Sequence, residues 1–273
     1  MQTQAERGQI FRALHERLGA FVIPNPWDVG TARILAKLGF EALATTSAGF
    51  AFSVGTRDNS NSRDEVMEHV RAIVEATELP VSADLGNAFG DDPSVVAETF
   101  RQAVAAGLAG ASVEDMTGRR DELIYDIGLA TERVRAASEV TRALGFPFML
   151  TARAENYLIG RQDLGDTIKR LQAYQEAGAD VLYAPGLTTR EDIAAIVTSV
   201  DRPVNVIAGI AGMTLTVAEL SGLGVKRIST GSTLARAAIG AFVRAAREIN
   251  DNGTFTFGAD LMSFGEINAM FKP

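Results

Sequence analysis

Eight short apolar runs recur along the chain, and after each the hydrophobic spacing changes to that of a helix. The runs are Phe21–Ile23, Ala42–Thr46, Val81–Asp84, Ala109–Glu114, Phe148–Ala152, Val181–Ala184, Val204–Ile207 and Arg227–Ser229. Each is too short for a helix and apolar without alternation, the mark of a strand buried on both faces of a parallel sheet. An amphipathic helix at about residues 3–18 precedes the first run, and later helices are expected at about 63–77, 93–106 and 214–221. Thr188 with Glu191 has the spacing of a capping box for the helix after the sixth run. Ser47 to Asp58 is expected to be a long loop. Eight strand–helix units with no linker-like stretch between them predict one (β/α)8 TIM barrel over residues 1–273, with an N-terminal helix and a C-terminal helical extension. Two Rossmann-like halves are less economical, because no G-x-G-x-x-G opens a helix after the first strand.

Composition narrows the chemistry. At 47 % hydrophobic residues the chain can fill a large core, and its net charge of −8 argues against nucleic acid or an anionic membrane as partner. No apolar run approaches bilayer length and the amino-terminal stretch lacks a signal-peptide layout, so a cytoplasmic protein is expected. There is no cysteine, which excludes thiolate nucleophiles and thiolate metal sites. The two histidines, His15 and His69, fall inside helical patterns where surface roles are expected, and none of the four lysines falls at a strand end. A histidine triad and a Schiff base therefore lack their key groups. Carboxylates, arginine, hydroxyls, backbone amides and a metal remain.

In a barrel of this kind the chemistry sits at the carboxyl ends of the strands. Asp84 closes the third strand, ahead of a glycine-rich bend and the helix start Asp92-Pro93. Glu114 and Asp115 close the fourth, Arg153 and Glu155 the fifth, and Asn205 lies on the seventh, while Asp58 sits in the second loop and Ser47 and Ala48 offer backbone donors. Asp58, Asp84 and Glu114 together would suit a hard divalent cation such as Mg2+, which keeps several waters and takes substrate oxygens. Arg153 could grip a substrate carboxylate bidentately. Asp91, Asp121 and Asp126 are expected to be solvated. A rival reading uses Ile207-Ala208-Gly209 and Ser229-Thr230-Gly231-Ser232 as glycine-bearing phosphate turns.

From Asn25-Pro26-Trp27-Asp28 to the final barrel helix the chain resembles the isocitrate lyase / phosphoenolpyruvate mutase superfamily, in its methylisocitrate lyase-like, oxaloacetate decarboxylase-like and carboxyphosphonate mutase-like branches. The resemblance rests on Thr46-Ser47-Ala48-Gly49, Gly55-Thr56-Arg57-Asp58, Ser82-Ala83-Asp84 with Phe89-Gly90-Asp91-Asp92-Pro93, Gly110 to Asp115, and Thr151-Ala152-Arg153-Ala154-Glu155. It implies Mg2+ held mainly through Asp84, with Asp58 and Glu114 acting through water. It implies a 2-oxo acid bound by Thr46, Ser47, Ala48, Gly49, Arg153 and Asn205, with Arg153, Asp58 and Glu114 as the catalytic set. The expected reaction is Mg-dependent cleavage of a C–C bond in a small 2-oxo or 2-hydroxy di- or tricarboxylate. The alternatives are P–C bond chemistry on phosphonopyruvate or carboxyphosphonate, a phosphate-binding barrel, or a 2-oxo acid binding protein. A homo-oligomer, dimer or tetramer, is implied, with the final helix and tail (about 233–273) packing on a neighbouring subunit. Two departures stand out: Gly86 occupies a position where relatives carry a second acid, and Met116 to Glu122 lacks the cysteine of the isocitrate lyases and the lysine and asparagine of the phosphomutases.

Overall fold

The computed structural model describes residues 2–271, and in it the eight runs become eight parallel strands in one sheet. These are β1 (Phe21–Ile23), β2 (Leu43–Ala44), β3 (Val81–Asp84), β4 (Gly110–Glu114), β5 (Met149–Arg153), β6 (Val181–Tyr183), β7 (Val204–Ile207) and β8 (Arg227–Ser229). Their order runs β1-β8-β7-β6-β5-β4-β3-β2, and the Ala44 amide donates to the Pro24 carbonyl at 3.0 Å, drawing the two ends of the sheet together. The fold is the (β/α)8 barrel that the strand–helix alternation predicts. Register places Asp84 beside Ser112, Glu114 beside Arg153, and Arg153 beside Tyr183, so the charged strand ends share one rim.

The helices are α1 (Gln4–Glu16), α2 (Val29–Lys37), α3 (Ser47–Ser53), α4 (Arg63–Glu75), α5 (Pro93–Ala105), α6 (Ile127–Arg142), α7 (Leu164–Glu176), α8 (Arg190–Ser199), α9 (Val217–Gly222), α10 (Thr233–Asn252) and α11 (Phe264–Met270). Their starts follow local chemistry: Asp28 and Ser62 cap α2 and α4 in reciprocal boxes with Thr31 and Glu65, and Pro93 opens α5. Three local expectations are corrected. Residues 47–53 form a helix rather than loop, capped by Thr46. Thr189, not Thr188, caps α8, its hydroxyl taking the Asp192 amide. The helix expected from about 214 begins at Val217, because Thr216 with Glu219 makes the cap.

The floor of the barrel is closed by α1. Phe11 and Leu14 pack with Phe21, Ile23, Ala109, Met149 and Val181 in an apolar cluster of their own. Gly110 is required there: a Cβ would come within 2.6 Å of the Met149 carbonyl and 2.9 Å of Phe11. His15 belongs to this plug and is 2 % exposed, which corrects its expected surface role; its Nδ1 bonds the Phe11 carbonyl at 2.8 Å and its ring packs edge-on to Phe11 and Phe21. His69 is half-buried and stacks on Phe50 at 4.0 Å. Among the described residues no helix is long and apolar enough to cross a membrane. Residues 272 and 273 of the expected tail lie outside the described residues.

Candidate active site

Arg153 is the centre of the rim. Its Nη1 donates to Asp84 Oδ1 at 2.9 Å and its Nε to Glu155 Oε1 at 2.8 Å, while its Nη2 forms an ion pair with Glu114 Oε2 at 3.0 Å. Three carboxylates thus surround one guanidinium, and Glu155 Oε2 is buried with no partner. Burial raises the pKa of Glu114 well above the ordinary carboxylate range, with Arg153 pulling it back and Glu155 and Asp84 pushing the same way as burial. Burial opposes the charge on Arg153, but Glu155, Glu114 and Asp84 outweigh it and hold the guanidinium above its usual value. Asp58 is exposed at the edge of the cluster; loss of solvent around its carboxyl and then the charge of Asp84 raise its pKa. Four carboxyl groups thus share one guanidinium, and the upward shifts of Glu114, Glu155 and Asp58 disfavour ionising all four together.

The remaining residues of the expected set separate into those at the rim and those that support it. Ser47 gives its amide (3.2 Å) and its hydroxyl (3.0 Å) to Asp84 Oδ2, so α3 begins by fixing this carboxylate. Thr46 is buried and caps α3 through the Gly49 amide, Ala48 is half-buried, and Gly49 is packed where a Cβ would lie 2.5 Å from the Thr46 methyl. Asn205 is buried in the barrel interior, donating to Ser229 Oγ at 3.0 Å, and does not line the cavity at the mouth. That cavity, about 310 Å3, is lined by Ser47, Asp84, Gly86, Glu114, Met116 and Arg119 among others. The turn after β8 spends the amides of Thr230 and Gly231 on Asn25 Oδ1, at 2.9 and 2.8 Å, which leaves neither free for a phosphate.

Past Asp84 the backbone is strained. Gly86, Ala88 and Phe89 all have φ between +53° and +65°, a region costly for the last two. A buried arginine holds this bend: Arg133 of α6 donates to the carbonyls of Asn87, Gly90 and Asp91 and lies 4.2 Å over the Tyr125 ring. Asp91 is exposed as expected, and it also accepts from the Tyr125 hydroxyl at 2.6 Å and pairs with Arg119. Asp126 caps α6. Arg119 thereby ties the loop after β4 over the cavity, and Met116 bridges Ile124 within it.

Asp115, expected at the end of the fourth strand, is a buried hub that accepts from the Glu155 amide (2.8 Å), Arg170 (3.0 Å) and the Tyr174 hydroxyl (2.6 Å), fixing the backbone that presents Glu155. Other contributing residues escape sequence reasoning. Tyr183 lies under Arg153, whose guanidinium is 5.2 Å from its ring; burial pushes the phenol up to about 12. Arg133, Asn25 and Tyr183 carry no local signal, because their partners are brought by other strands.

The rim suits a hard cation. All candidate donors are oxygens, and the cavity beside Asp84 has room for water. Among the described residues no three acidic or histidine side chains form a ready-made cage. Spread donors match Mg2+, which takes one or two protein carboxylates and retains waters. At Gly86 a Cβ would meet Asn59 Oδ1 at 3.7 Å and Glu114 Oε1 at 3.9 Å, so glycine leaves the space beside Glu114 open.

Comparison with known proteins agrees with this geometry. A family model described as phosphoenolpyruvate phosphomutase matches residues 11–250. The chain is 57 % identical to a Burkholderia cenocepacia protein described as a lyase/mutase, whose crystal structure superposes with a TM-score of 0.96 over 99 % of this chain and 97 % of that one. It is 26 % identical to 2-methylisocitrate lyase of Halalkalibacterium halodurans over 96 % of this chain and 88 % of that protein. A phosphonopyruvate hydrolase solved with oxalate and Mg2+ is 26 % identical, with a TM-score of 0.84 over 98 % of this chain and 95 % of that one.

Proposed function

The chain belongs to the phosphoenolpyruvate phosphomutase family, within the isocitrate lyase / phosphoenolpyruvate mutase superfamily of lyases and mutases, and from that premise we propose a Mg2+-dependent lyase that breaks a C–C bond of a small 2-oxo or 2-hydroxy di- or tricarboxylate. The observation that carries this reading is Arg153 shared by Asp84, Glu114 and Glu155 at the edge of the mouth cavity. Asp84 would hold the cation, with Asp58 and Glu114 reaching it through water. When bound, Mg2+ supplies Lewis-acid stabilisation of the negative charge that develops on the substrate's oxygen.

The chain's own residues do the rest. Of the five N–H bonds of Arg153, two are hydrogen-bonded, to Asp84 and Glu155, and those left on Nη1 and Nη2 would give a bidentate grip on a substrate carboxylate. Ser47 fixes the orientation of Asp84, and Asp115 that of Glu155. The cavity is at the lower end for ligand sites, which favours substrates of few carbons. With no cysteine to protonate a departing carbanion, solvent supplies the proton, which suits an oxaloacetate-like substrate whose C–C bond breaks to release CO2 and whose enolate is protonated at carbon to leave as pyruvate. P–C bond chemistry on phosphonopyruvate is the second reading, favoured by the likeness to phosphonopyruvate hydrolase.

The proposal extends to assembly. Only Ala235 of α10 is buried, and Phe242, Phe255 and Phe264 are 73 %, 66 % and 88 % exposed, so residues from about 233 onward would pack on a neighbouring subunit. Release of pyruvate or glyoxylate, followed with Mg2+ or EDTA against oxaloacetate, 2-methylisocitrate, 2,3-dimethylmalate and phosphonopyruvate, tests the chemistry. Turnover of a carboxylate that EDTA abolishes is expected. Turnover of phosphonopyruvate alone supports the second reading, and turnover indifferent to EDTA contradicts both.

A further inference from the structure

The mouth cavity is not lined by polar groups alone. Each polar anchor is followed in the chain by an apolar side chain in the same lining: Phe50 one helical turn after Ser47, Leu85 directly after Asp84, and Met116 two residues after Glu114. Val66 of α4 and Phe89 of the strained bend complete this apolar part. Val66 and Leu85 are buried, and Phe50, Phe89 and Met116 are half-buried. An alkyl group is favoured over water against such a lining.

Phe50 is held by a second ring. His69 of α4 stacks on it with centroids 4.0 Å apart and planes 14° from parallel. His69 Nε2 is buried without a partner, so the imidazole serves here by its face and not by that nitrogen. The polar groups that share this part of the cavity are committed elsewhere. Arg119 is the one cation among the described lining residues, and it is ion-paired with Asp91 and Glu122. Asn87 Oδ1 takes the Phe89 amide at 3.1 Å, and the Thr117 hydroxyl donates to the Glu122 carbonyl. A further carboxylate or a phosphonate placed here would lose water and find no free cation.

We propose that Phe50 is a specificity-determining residue, with His69 as its positioning residue, and that the substrate carries an alkyl group on carbon 3, next to the keto carbon. The assignment rests on the 2-oxo acid reading above, with the keto acid unit at Asp84 and Arg153. The substituent on carbon 3 then lies against Phe50, Leu85 and Met116. Of two 2-oxo acids of equal length, the one ending in methyl is preferred to the one ending in carboxylate.

Calorimetric titrations with Mg2+ and with EDTA compare pyruvate, 2-oxobutyrate, 2-oxopentanoate and 2-oxoglutarate, which share the keto acid unit whichever bond the enzyme breaks. With Mg2+, affinity is expected to rise about fourfold for each added CH2 from pyruvate to 2-oxopentanoate. The equally long 2-oxoglutarate should bind about tenfold more weakly than 2-oxopentanoate. Phe50→Ala should remove most of the rise and His69→Ala part of it, while His69→Phe, which keeps a stacked ring, should restore it. The native series needs no variant, so it decides the matter even where Phe50→Ala does not fold. Equal binding of all four acids, or tighter binding of 2-oxoglutarate, overturns the alkyl assignment alone, and an unaltered rise in Phe50→Ala overturns the role of Phe50. No Mg2+-dependent binding of any of them overturns the 2-oxo acid reading and this assignment with it.

Discussion

At the mouth of the barrel Arg153 is divided among three carboxylates; beneath it, Arg227 crosses the interior with one hydroxyl for company. The mouth therefore gathers carboxyl groups around its arginine, whereas among the described residues the interior arginine bonds only the Thr151 hydroxyl. Both arrangements cost folding free energy, because each holds charged groups away from water.

The largest effect should come from removing the cation that the mouth shares. Arg153→Met leaves Glu114 and Glu155 buried against Asp84 with no guanidinium, a loss of about 3–5 kcal/mol in urea unfolding; a loss under 1 kcal/mol would mean that the pairing at the rim is not what keeps these acids tolerable. Arg133→Met comes next. It strands the carbonyls that hold the strained bend after Asp84, and a drop of about 2–3 kcal/mol is expected, with weaker Mg2+ binding in calorimetry. Unchanged Mg2+ affinity would separate that bend from the site.

The floor is probed by pH. Burial first, and then the charge of Arg227, push His15 down to about 3, and burial pushes His69 down to about 4. In the unfolded chain both titrate near 6.5, so between that value and the folded one the unfolded state binds the extra proton. Stability therefore falls as pH drops below about 6.5, by about 1.4 kcal/mol per unit for each histidine. Between pH 7 and pH 5, His15→Gln should lose about 2 kcal/mol less than the native chain, measured by denaturant unfolding; an equal loss would mean that His15 is already charged in the fold. The smallest effect belongs to Arg119→Ala. Its ion pairs with Asp91 and Glu122 are exposed, so stability should change by less than about 1 kcal/mol.

What the sequence made legible was whatever depends on strand ends. Asp84, Glu114 and Arg153 each terminate a short apolar run, and in a parallel barrel all such ends face one way, so their meeting follows from topology alone. Short-range signals were less secure. Ser47–Ser53 has only two turns and a glycine, too little periodicity to announce a helix, and two adjacent threonines offered equally good caps for α8. Long-range partners were invisible. Asp91 stays exposed, but its bonds to Tyr125 and Arg119 come from a distant loop, and His15 looks like a surface residue until α1 is driven into the floor. Arg227 begins a strand like any other polar residue, and only closure of the barrel reveals that it has no counter-charge.

The central claim is that the carboxylate closing β3 anchors a divalent cation at the mouth. Calorimetric titration of Mg2+ into the native chain and into Asp84→Ala, each with oxalate present, tests it most directly. The account predicts saturable binding by the native chain and at least tenfold weaker binding by the variant. Equal affinity in the two proteins would contradict it.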